Sequence, residues 1–200
     1  MSTLEVGTIA PISGSNDVTL GGSSKNIKFA SGTTVDFSTN TPTTTLSSTM
    51  KNTPAFHAFL SSAQTGVSDG VLTKCQFNSE KFDTDNCYDN SSNYRFTPNV
   101  AGKYYVYSMI SANSLSASNI SLYLIQIRKN GSFITQGIVD YRNNANAYVA
   151  GQYSALVVDM NGTSDYLEAF AHIDSANNQA LQFQGSEQET YFGAYRIVGA

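Results

Sequence analysis

Apolar and polar residues alternate with a period of two along most of the chain after residue 54. These segments are rich in Val, Ile, Tyr and Phe, which favour an extended backbone. About nine or ten of them follow one another, separated by turn residues and without a helical period. The pattern predicts an all-β fold in which antiparallel strands form a two-layer jelly-roll sandwich. We expect strands over residues 55–60, 71–77, 93–96, 103–110, 120–129, 133–139, 148–160, 166–173 and 189–198.

Asn-Gly pairs mark the sharpest predicted turns. Asn130-Gly131 separates the strands expected over 120–129 and 133–139. Both residue types accept the positive φ that a type I′ hairpin requires, so this pair predicts a tight antiparallel hairpin. Asn161-Gly162 follows the strand expected over 148–160 and predicts a second chain reversal.

Residues 1–50 show a different pattern, in which short alternations are broken by turns rich in Gly, Ser and Asn. Each alternation is too short to bury a face alone, so such strands need another chain or a larger body to pair with. Residues 40–50 are rich in Thr and Ser and indicate an extended linker. We therefore divide the chain into an attachment segment, residues 1–50, and a sandwich domain, residues 51–200. The residues expected to make the attachment are Val6, Ile9, Ile12, Val18, Leu20, Ile27, Phe29, Val35 and Phe37.

Charge and composition narrow the classes of function. The net charge is −4 and the charged fraction is 13%, about half the ~25% typical of soluble domains. No basic patch is present, which excludes a nucleic-acid-binding surface. No apolar run reaches the ~18 residues that span a bilayer, so we expect no membrane insertion. The N-terminus has neither the basic flank nor the apolar stretch of a secretory signal, which favours a protein that leaves the cell inside a particle.

No motif in the sequence predicts catalysis. Nucleophile-elbow, dinucleotide-binding and P-loop patterns are absent. His57 and His172 lie on different predicted strands, where a packed or surface histidine is favoured over a catalytic one. Cys75 and Cys87 flank one polar loop and are predicted to be free thiols, with a disulfide as the alternative. We expect no enzymatic activity and no catalytic residue.

The order of motifs in the sandwich domain carries a resemblance to a known family. The motifs are Phe96-Thr97-Pro98, then Gly102, Tyr104 and Val106, then Asn130-Gly131, and finally Phe192-Gly193-Ala194-Tyr195. Residues 54–200 resemble the globular head of complement component one, subcomponent q, which shares its jelly roll with the tumour necrosis factor superfamily. The resemblance implies a homotrimer with aromatic residues around a threefold axis. The residues expected at that interface are Phe56, Tyr104, Tyr105, Tyr107, Tyr123, Phe192 and Tyr195.

Clustered carboxylates offer the main candidate for a metal site. Glu80, Asp83, Asp85 and Asp89 fall in one predicted loop, and Ca²⁺ favours such oxygen ligands. Some complement-like domains bind calcium near the threefold axis. The spacing does not fit an EF-hand, however, because the sharp-turn Gly and the terminal Glu are missing. Solvated loop acids and no cofactor are therefore the favoured interpretation, with Ca²⁺ as the alternative.

The attachment segment is similar to the openings of tail-fibre and other structural proteins of marine and cyanobacterial phages. The similarity lies in Gly7-Thr8-Ile9-Ala10-Pro11 and in Ser31-Gly32-Thr33-Thr34-Val35-Asp36-Phe37. It implies a bacteriophage structural protein, made in the host cytoplasm and carried on the virion surface. The expected role is a tail fibre or host-recognition component that contacts itself, other virion proteins and a host surface glycan or protein. A capsid decoration protein at threefold sites and a secreted carbohydrate- or protein-binding module are the alternatives.

Overall fold

The computed structural model describes residues 51–115, 118–143, 145–178 and 181–198, and these form β-strands joined by turns. Within them, no helix is long and apolar enough to cross a membrane. The residues expected to make the attachment lie outside the described part of the chain, and the division at residue 50 stays a prediction. The strands are β1 (Ala55–Phe59), β2 (Gln64–Val67), β3 (Thr73–Lys74), β4 (Ser79–Asp83), β5 (Tyr88–Asp89), β6 (Arg95–Phe96), β7 (Gly102–Ser114), β8 (Ile120–Lys129), β9 (Ser132–Asp140), β10 (Val149–Met160), β11 (Leu167–Ser175), β12 (Leu181–Phe183) and β13 (Tyr191–Arg196).

Two antiparallel sheets pack face to face. The first sheet has the strand order β2-β12-β7-β13-β1-β4, and β10 pairs with the other side of β7. The second sheet has the order β5-β6-β11-β8-β9, and β3 pairs with β11. Strands that are neighbours in a sheet are often distant in the chain, as in a jelly roll. This confirms the predicted all-β antiparallel sandwich.

The core lies between the sheets and is rich in aromatic rings. The ring of Phe56 stacks on Phe96 and Tyr88, with centroids 4.5 and 4.7 Å apart, and meets the edge of Phe192 at 5.1 Å. Successive residues of a strand face opposite sides, so the register of β7 with β13 determines which tyrosines enter this core. In β7 the inward positions are Tyr104, Val106, Ser108 and Ile110, each fully buried.

Four of the predicted interface residues are buried in the sandwich. Phe56, Tyr104, Tyr123 and Phe192 have no exposed surface in a single subunit. The hydroxyl of Tyr104 donates to Val100 O at 2.7 Å, and that of Tyr123 donates to Ile110 O at 2.6 Å. Their rings and hydroxyls are thus satisfied inside the sandwich. In the single subunit these four residues belong to the core, and their contact with a second chain stays a prediction.

The Asn-Gly turns are locked together at one end of the sandwich. Asn130 and Gly131 have φ of +51° and +76°, which confirms the predicted hairpin between β8 and β9. The second turn is built by Asn161, whose side-chain oxygen accepts hydrogen bonds from the backbone amides that follow it. Asp165 joins the two turns, because its carboxylate accepts from Asn130 Nδ2 at 2.7 Å and from Asn161 N at 2.9 Å.

The strand predicted over residues 71–77 is shorter in the structure. Within these residues only Thr73–Lys74 form a strand, and the backbone amide of Cys75 continues the pairing by donating to Ala169 O. Cys75 and Cys87 are separate, buried thiols. Burial raises the pKa of both, most strongly that of Cys75, which disfavours the reactive thiolate.

Candidate self-association surface

The outer side of the first sheet carries an unusual concentration of aromatic residues. We call it the aromatic face, and it is presented by the neighbouring strands β4, β1, β13, β7 and β10. Residues directly opposite one another on paired strands point to the same side, so the register defines its members. They are His57, Phe59, Phe82, Tyr105, Tyr107, Met109, Tyr153, Val157, Tyr191 and Tyr195.

These side chains form continuous rows across the sheet. Tyr105 lies opposite Tyr195 on one side and Val157 on the other. The ring centroids of Tyr105 and Tyr195 are 5.5 Å apart, and those of Tyr105 and Tyr107 are 6.0 Å apart. Such separations are typical of favourable aromatic pairs. The face is therefore an ordered layer of rings with defined contacts.

Much of this layer is open to solvent in one subunit. The exposed fractions are 42% for Tyr195, 45% for Phe82, 48% for Tyr153 and 52% for Val157. Isolated exposed apolar residues are ordinary, but a contiguous group of them marks a surface that contacts another molecule. The aromatic face is consequently the strongest candidate interaction surface in the described part of the chain.

Gly193 makes the centre of the face possible. A Cβ atom at this position would lie 2.4 Å from the Cζ atom of Tyr107, far inside van der Waals contact. The absence of a side chain lets the Tyr107 ring lie across β13. There it approaches Tyr191, with centroids 6.2 Å apart. Gly193 belongs to the sequence motif over residues 192–195, and the structure gives its physical role.

Several polar atoms of the face are paired within the subunit. The hydroxyls of Tyr105 and Tyr153 are 3.0 Å apart, and His57 Nδ1 is 3.0 Å from the Tyr107 hydroxyl. Burial lowers the pKa of His57, an effect that Lys81 reinforces and Glu187 opposes. Burial also raises the pKa of Tyr107, so both partners are neutral near pH 7. A neutral surface with paired hydroxyls can be covered without stranding a charge.

Charges border the aromatic face on one side. Lys81 on β4 forms an ion pair with Glu187, which precedes β13. This ion pair lowers the pKa of Glu187, and the nearby His57 contributes in the same direction. The face thus has an apolar centre with an ion pair at one edge, and protein–protein interfaces likewise combine an apolar core with a polar rim.

Three of the predicted interface residues, Tyr105, Tyr107 and Tyr195, lie together on the aromatic face. Whether they contact another copy stays a prediction. Sequence reasoning missed the other members, although Tyr153 and Val157 share one phase of the β10 alternation and were visible in that pattern. The contribution of β4 had no comparable signal, because that strand is charged in sequence and was taken as a loop.

Among the acidic residues considered as calcium ligands, Asp83 and Asp89 accept hydrogen bonds from backbone amides in the turns around them. Asp83 accepts hydrogen bonds from the backbone amides of Tyr88 and Asp85. Asp89 accepts from several backbone amides of residues 91–93, and these bonds hold the pKa of its carboxyl far below the usual range. The described residues contain no group of three or more acidic, histidine or cysteine side chains placed to hold a metal ion. The four predicted candidates, Glu80, Asp83, Asp85 and Asp89, are not brought together.

Comparison with known proteins places the sandwich in a structural class. No protein-family model and no curated protein sequence matches the chain. Murine APRIL matches with a TM-score of 0.52 and 11% identity, over 72% of this chain and 98% of that chain. Eiger TNF from S. frugiperda matches with a TM-score of 0.50 and 12% identity, over 73% and 93%. The globular domain of zebrafish complement 1qA gives a TM-score of 0.47 and 15% identity, over 72% and 97%.

The sandwich domain therefore has a jelly-roll fold similar to those of murine APRIL and Eiger TNF. At these identities the likeness shows the fold, and it confirms the fold that the sequence resemblance implied.

Proposed function

We propose that the protein is a homotrimeric binding or structural module in which the aromatic face of each subunit is covered by a neighbouring copy. The observation that carries the proposal is the contiguous, partly exposed aromatic layer, in which the hydroxyls of Tyr105, Tyr107 and Tyr153 are already paired. Its apolar centre favours permanent burial, and the ion pair at its edge contributes to orientation. A closed ring of copies leaves no such surface exposed, whereas an open chain would leave one at its end.

We further propose that the module is not an enzyme. His57 is held by the Tyr107 hydroxyl, and Nε2 of His172 lies 2.7 Å from a carboxylate oxygen of Asp174. Both imidazoles thus have structural partners. Neither arrangement supplies the activated nucleophile that acyl or glycosyl transfer requires.

The proposed location is the surface of a bacteriophage particle, as a tail fibre or host-recognition component. This part rests on the similarity of residues 1–50 to phage structural proteins. Display of three linked copies suits recognition, because three weak contacts held together exceed one by about 10²–10⁴-fold. Capsid decoration at threefold sites is the second candidate, because a closed homotrimer has the symmetry of such sites.

The assembly is tested by measuring the mass of the full chain by light scattering after size exclusion. We expect three times the 21.5 kDa of one chain at micromolar concentration. Replacing both Tyr105 and Tyr195 by Ser should weaken association by about tenfold or more for each ring lost. Phe133→Ser is the matched control, since Phe133 is 51% exposed on β9, away from the aromatic face. A monomeric wild-type chain would reject the proposal.

The location is tested separately by immunogold labelling of purified particles. Label at the tail supports host recognition, and label over the capsid supports decoration. Particles without label reject a virion role while leaving the self-association result standing.

A further inference from the structure

A polar recess lies between the edges of the two sheets, on the side of β2. Its volume is about 280 Å³. Four parts of the chain line it: β2, the segment before β2, the segment before β4 and the turn before β6. The side chains that matter are Ser62, Gln64, Thr65, Gln76, Asn78 and Tyr94. None of them belongs to the aromatic face, so the recess stays separate from the proposed self-association surface.

We propose that this recess binds one or two sugar rings of a neutral saccharide. This proposal names a ligand class for the binding module proposed above, and in that respect it rests on the proposed function. The first argument is the chemistry of the lining, which consists of carboxamides, hydroxyls and a phenol. A carboxamide offers both donors and acceptors, as sugar hydroxyls do.

The absence of charge excludes other ligand classes. No Lys, Arg, Asp or Glu lines the recess. Lys74 on β3, whose carbonyl accepts from Gln64, is engaged through its ammonium group with Glu168 at 2.5 Å and with Asn93 O at 3.1 Å. Phosphate, sulfate and carboxylate ligands would therefore meet no positive partner. An uncharged polyol suits the lining best.

The lining is held in place before any ligand arrives. Gln64 Nε2 donates to Lys74 O at 3.0 Å, and Gln64 Oε1 accepts from Gln76 N at 2.8 Å. Asn78 Oδ1 accepts from both the backbone amide and the hydroxyl of Ser61. Nδ2 is then the part of this amide available to a ligand. Fixed donors and acceptors lower the entropy lost on binding.

Tyr94 provides the fourth argument. Its φ is +51°, in the left-handed region that a bulky residue seldom adopts. The preceding turn is anchored on the Asp89 carboxylate by the backbone amides of Ser91, Ser92 and Asn93. Strained backbone of this kind is kept where a side chain must be presented in one place. A tyrosine ring on the wall of a polar recess offers a flat apolar surface for the C–H side of a sugar.

The volume of the recess determines the size of ligand and the affinity that we expect. The volume is close to the lower limit of about 300 Å³ for small-molecule pockets, which matches a short saccharide and a weak single-site affinity. In a trimer three such recesses act together, so a surface carrying many saccharides would be bound far more tightly.

The test measures binding of the full chain to neutral disaccharides by saturation-transfer NMR at millimolar ligand. Maltose, lactose, mannobiose and chitobiose serve as probes, and sialyllactose and a sulfated disaccharide serve as charged comparators. We expect saturation of at least one neutral disaccharide and no stronger signal from the charged ones. Binding to none of the neutral probes, or preference for a charged one, overturns the proposal.

Tyr94→Gly separates binding from folding. Glycine accepts positive φ without strain, so this variant should be at least as stable as the wild type while losing the ring. We expect a loss of binding of tenfold or more. Tyr148→Ala is the control, since Tyr148 is 47% exposed and lies outside the recess and the aromatic face. Undiminished binding in Tyr94→Gly contradicts the proposal.

The mass of the same samples distinguishes the two proposals. A trimer that binds no neutral disaccharide would reject only the proposal that the recess binds a saccharide. A monomer that binds one would reject only the proposed assembly.

Discussion

Gly193 and Tyr107 show how single residues determine the shape of the aromatic face. The glycine carries no atom where the phenol ring passes over β13. The ring is held there by Tyr191 beside it and by His57 at its hydroxyl. A methyl group at position 193 would push the ring off the sheet and break the hydrogen bond to His57.

We expect Gly193→Ala to lower the free energy of unfolding by about 1–3 kcal/mol, as overpacking does. The loss should be smaller in a Tyr107→Ala background, because the ring that the new methyl group meets is then absent. Urea denaturation of the two single variants and the double variant, at one fixed protein concentration, measures this coupling. Strictly additive changes would contradict the contact.

His57 gives the face a dependence on pH. Burial lowers the pKa of its imidazole below the usual 6.5, so the unfolded chain binds the proton more readily than the folded one. The stabilisation by neutral His57 is complete above about pH 6.5 and is lost as the pH falls through the folded pKa. Glu187 has a lowered pKa, so its own contribution is lost only at more acidic pH.

The expected result is a free energy of unfolding that falls between about pH 7 and pH 5, and less steeply in His57→Gln. Denaturant melts of both proteins across this range provide the measurement. Equal slopes would show that another group controls the pH dependence.

At the scale of elements, strand length decided what the sequence could predict. Strands β7 to β11 carry long alternations of their own and were predicted within a few residues. β2, β5 and β12 are short, and their extended form depends on the partner strand. Local pattern does not encode such strands.

The sequence also did not reveal which side of β7 faces the core. Both of its sides are apolar: Val106 and Ile110 on one side alternate with Tyr105 and Tyr107 on the other. Alternation alone therefore does not tell which tyrosines enter the core. The pairing of Val106 with Ala194, a contact distant in the chain, determines it. This is why Tyr104 was assigned to the interface and proved to be buried.

The turn pair held by Asp165 can be tested as one element. Its carboxylate binds Asn130 Nδ2, Asn161 N and, at 2.8 Å, Lys129 Nζ. We expect Asp165→Ala to cost about 1.5–3 kcal/mol, since it strands donors of both turns, and Asp165→Asn to cost less because one acceptor remains. Thermal or urea melts decide this. Equal effects of the two substitutions would mean that the Lys129 ion pair dominates.

At the scale of the molecule, the two sides of the sandwich differ. On one side β9 and β10 approach closely: the hydroxyls of Thr135 and Ser154 are 3.1 Å apart. A Cβ at Gly137 would also lie 2.7 Å from Tyr153 O. On the other side Gln64 of β2 donates to Lys74 O of β3, and the polar recess lies beside this contact. The recess is thus confined to one side of the sandwich.

The core is built from residues of the sandwich domain. We therefore expect a chain of residues 51–200 to fold and to self-associate without the attachment segment. Circular dichroism and light scattering, with the full chain as reference, test folding and mass. Attachment to particles should be lost. A truncated chain that fails to fold would show that the division at residue 50 is wrong.

The tyrosines of the aromatic face have an optical consequence. The chain contains 12 Tyr and no Trp, so its intrinsic ultraviolet emission comes from tyrosine alone. Tyr105, Tyr107, Tyr153, Tyr191 and Tyr195 lie on the surface that we propose is covered when copies associate. Dilution of an unlabelled sample would alter the emission of these phenols while those of the core stay constant. The molecule thus reports its own state of assembly, without a dye.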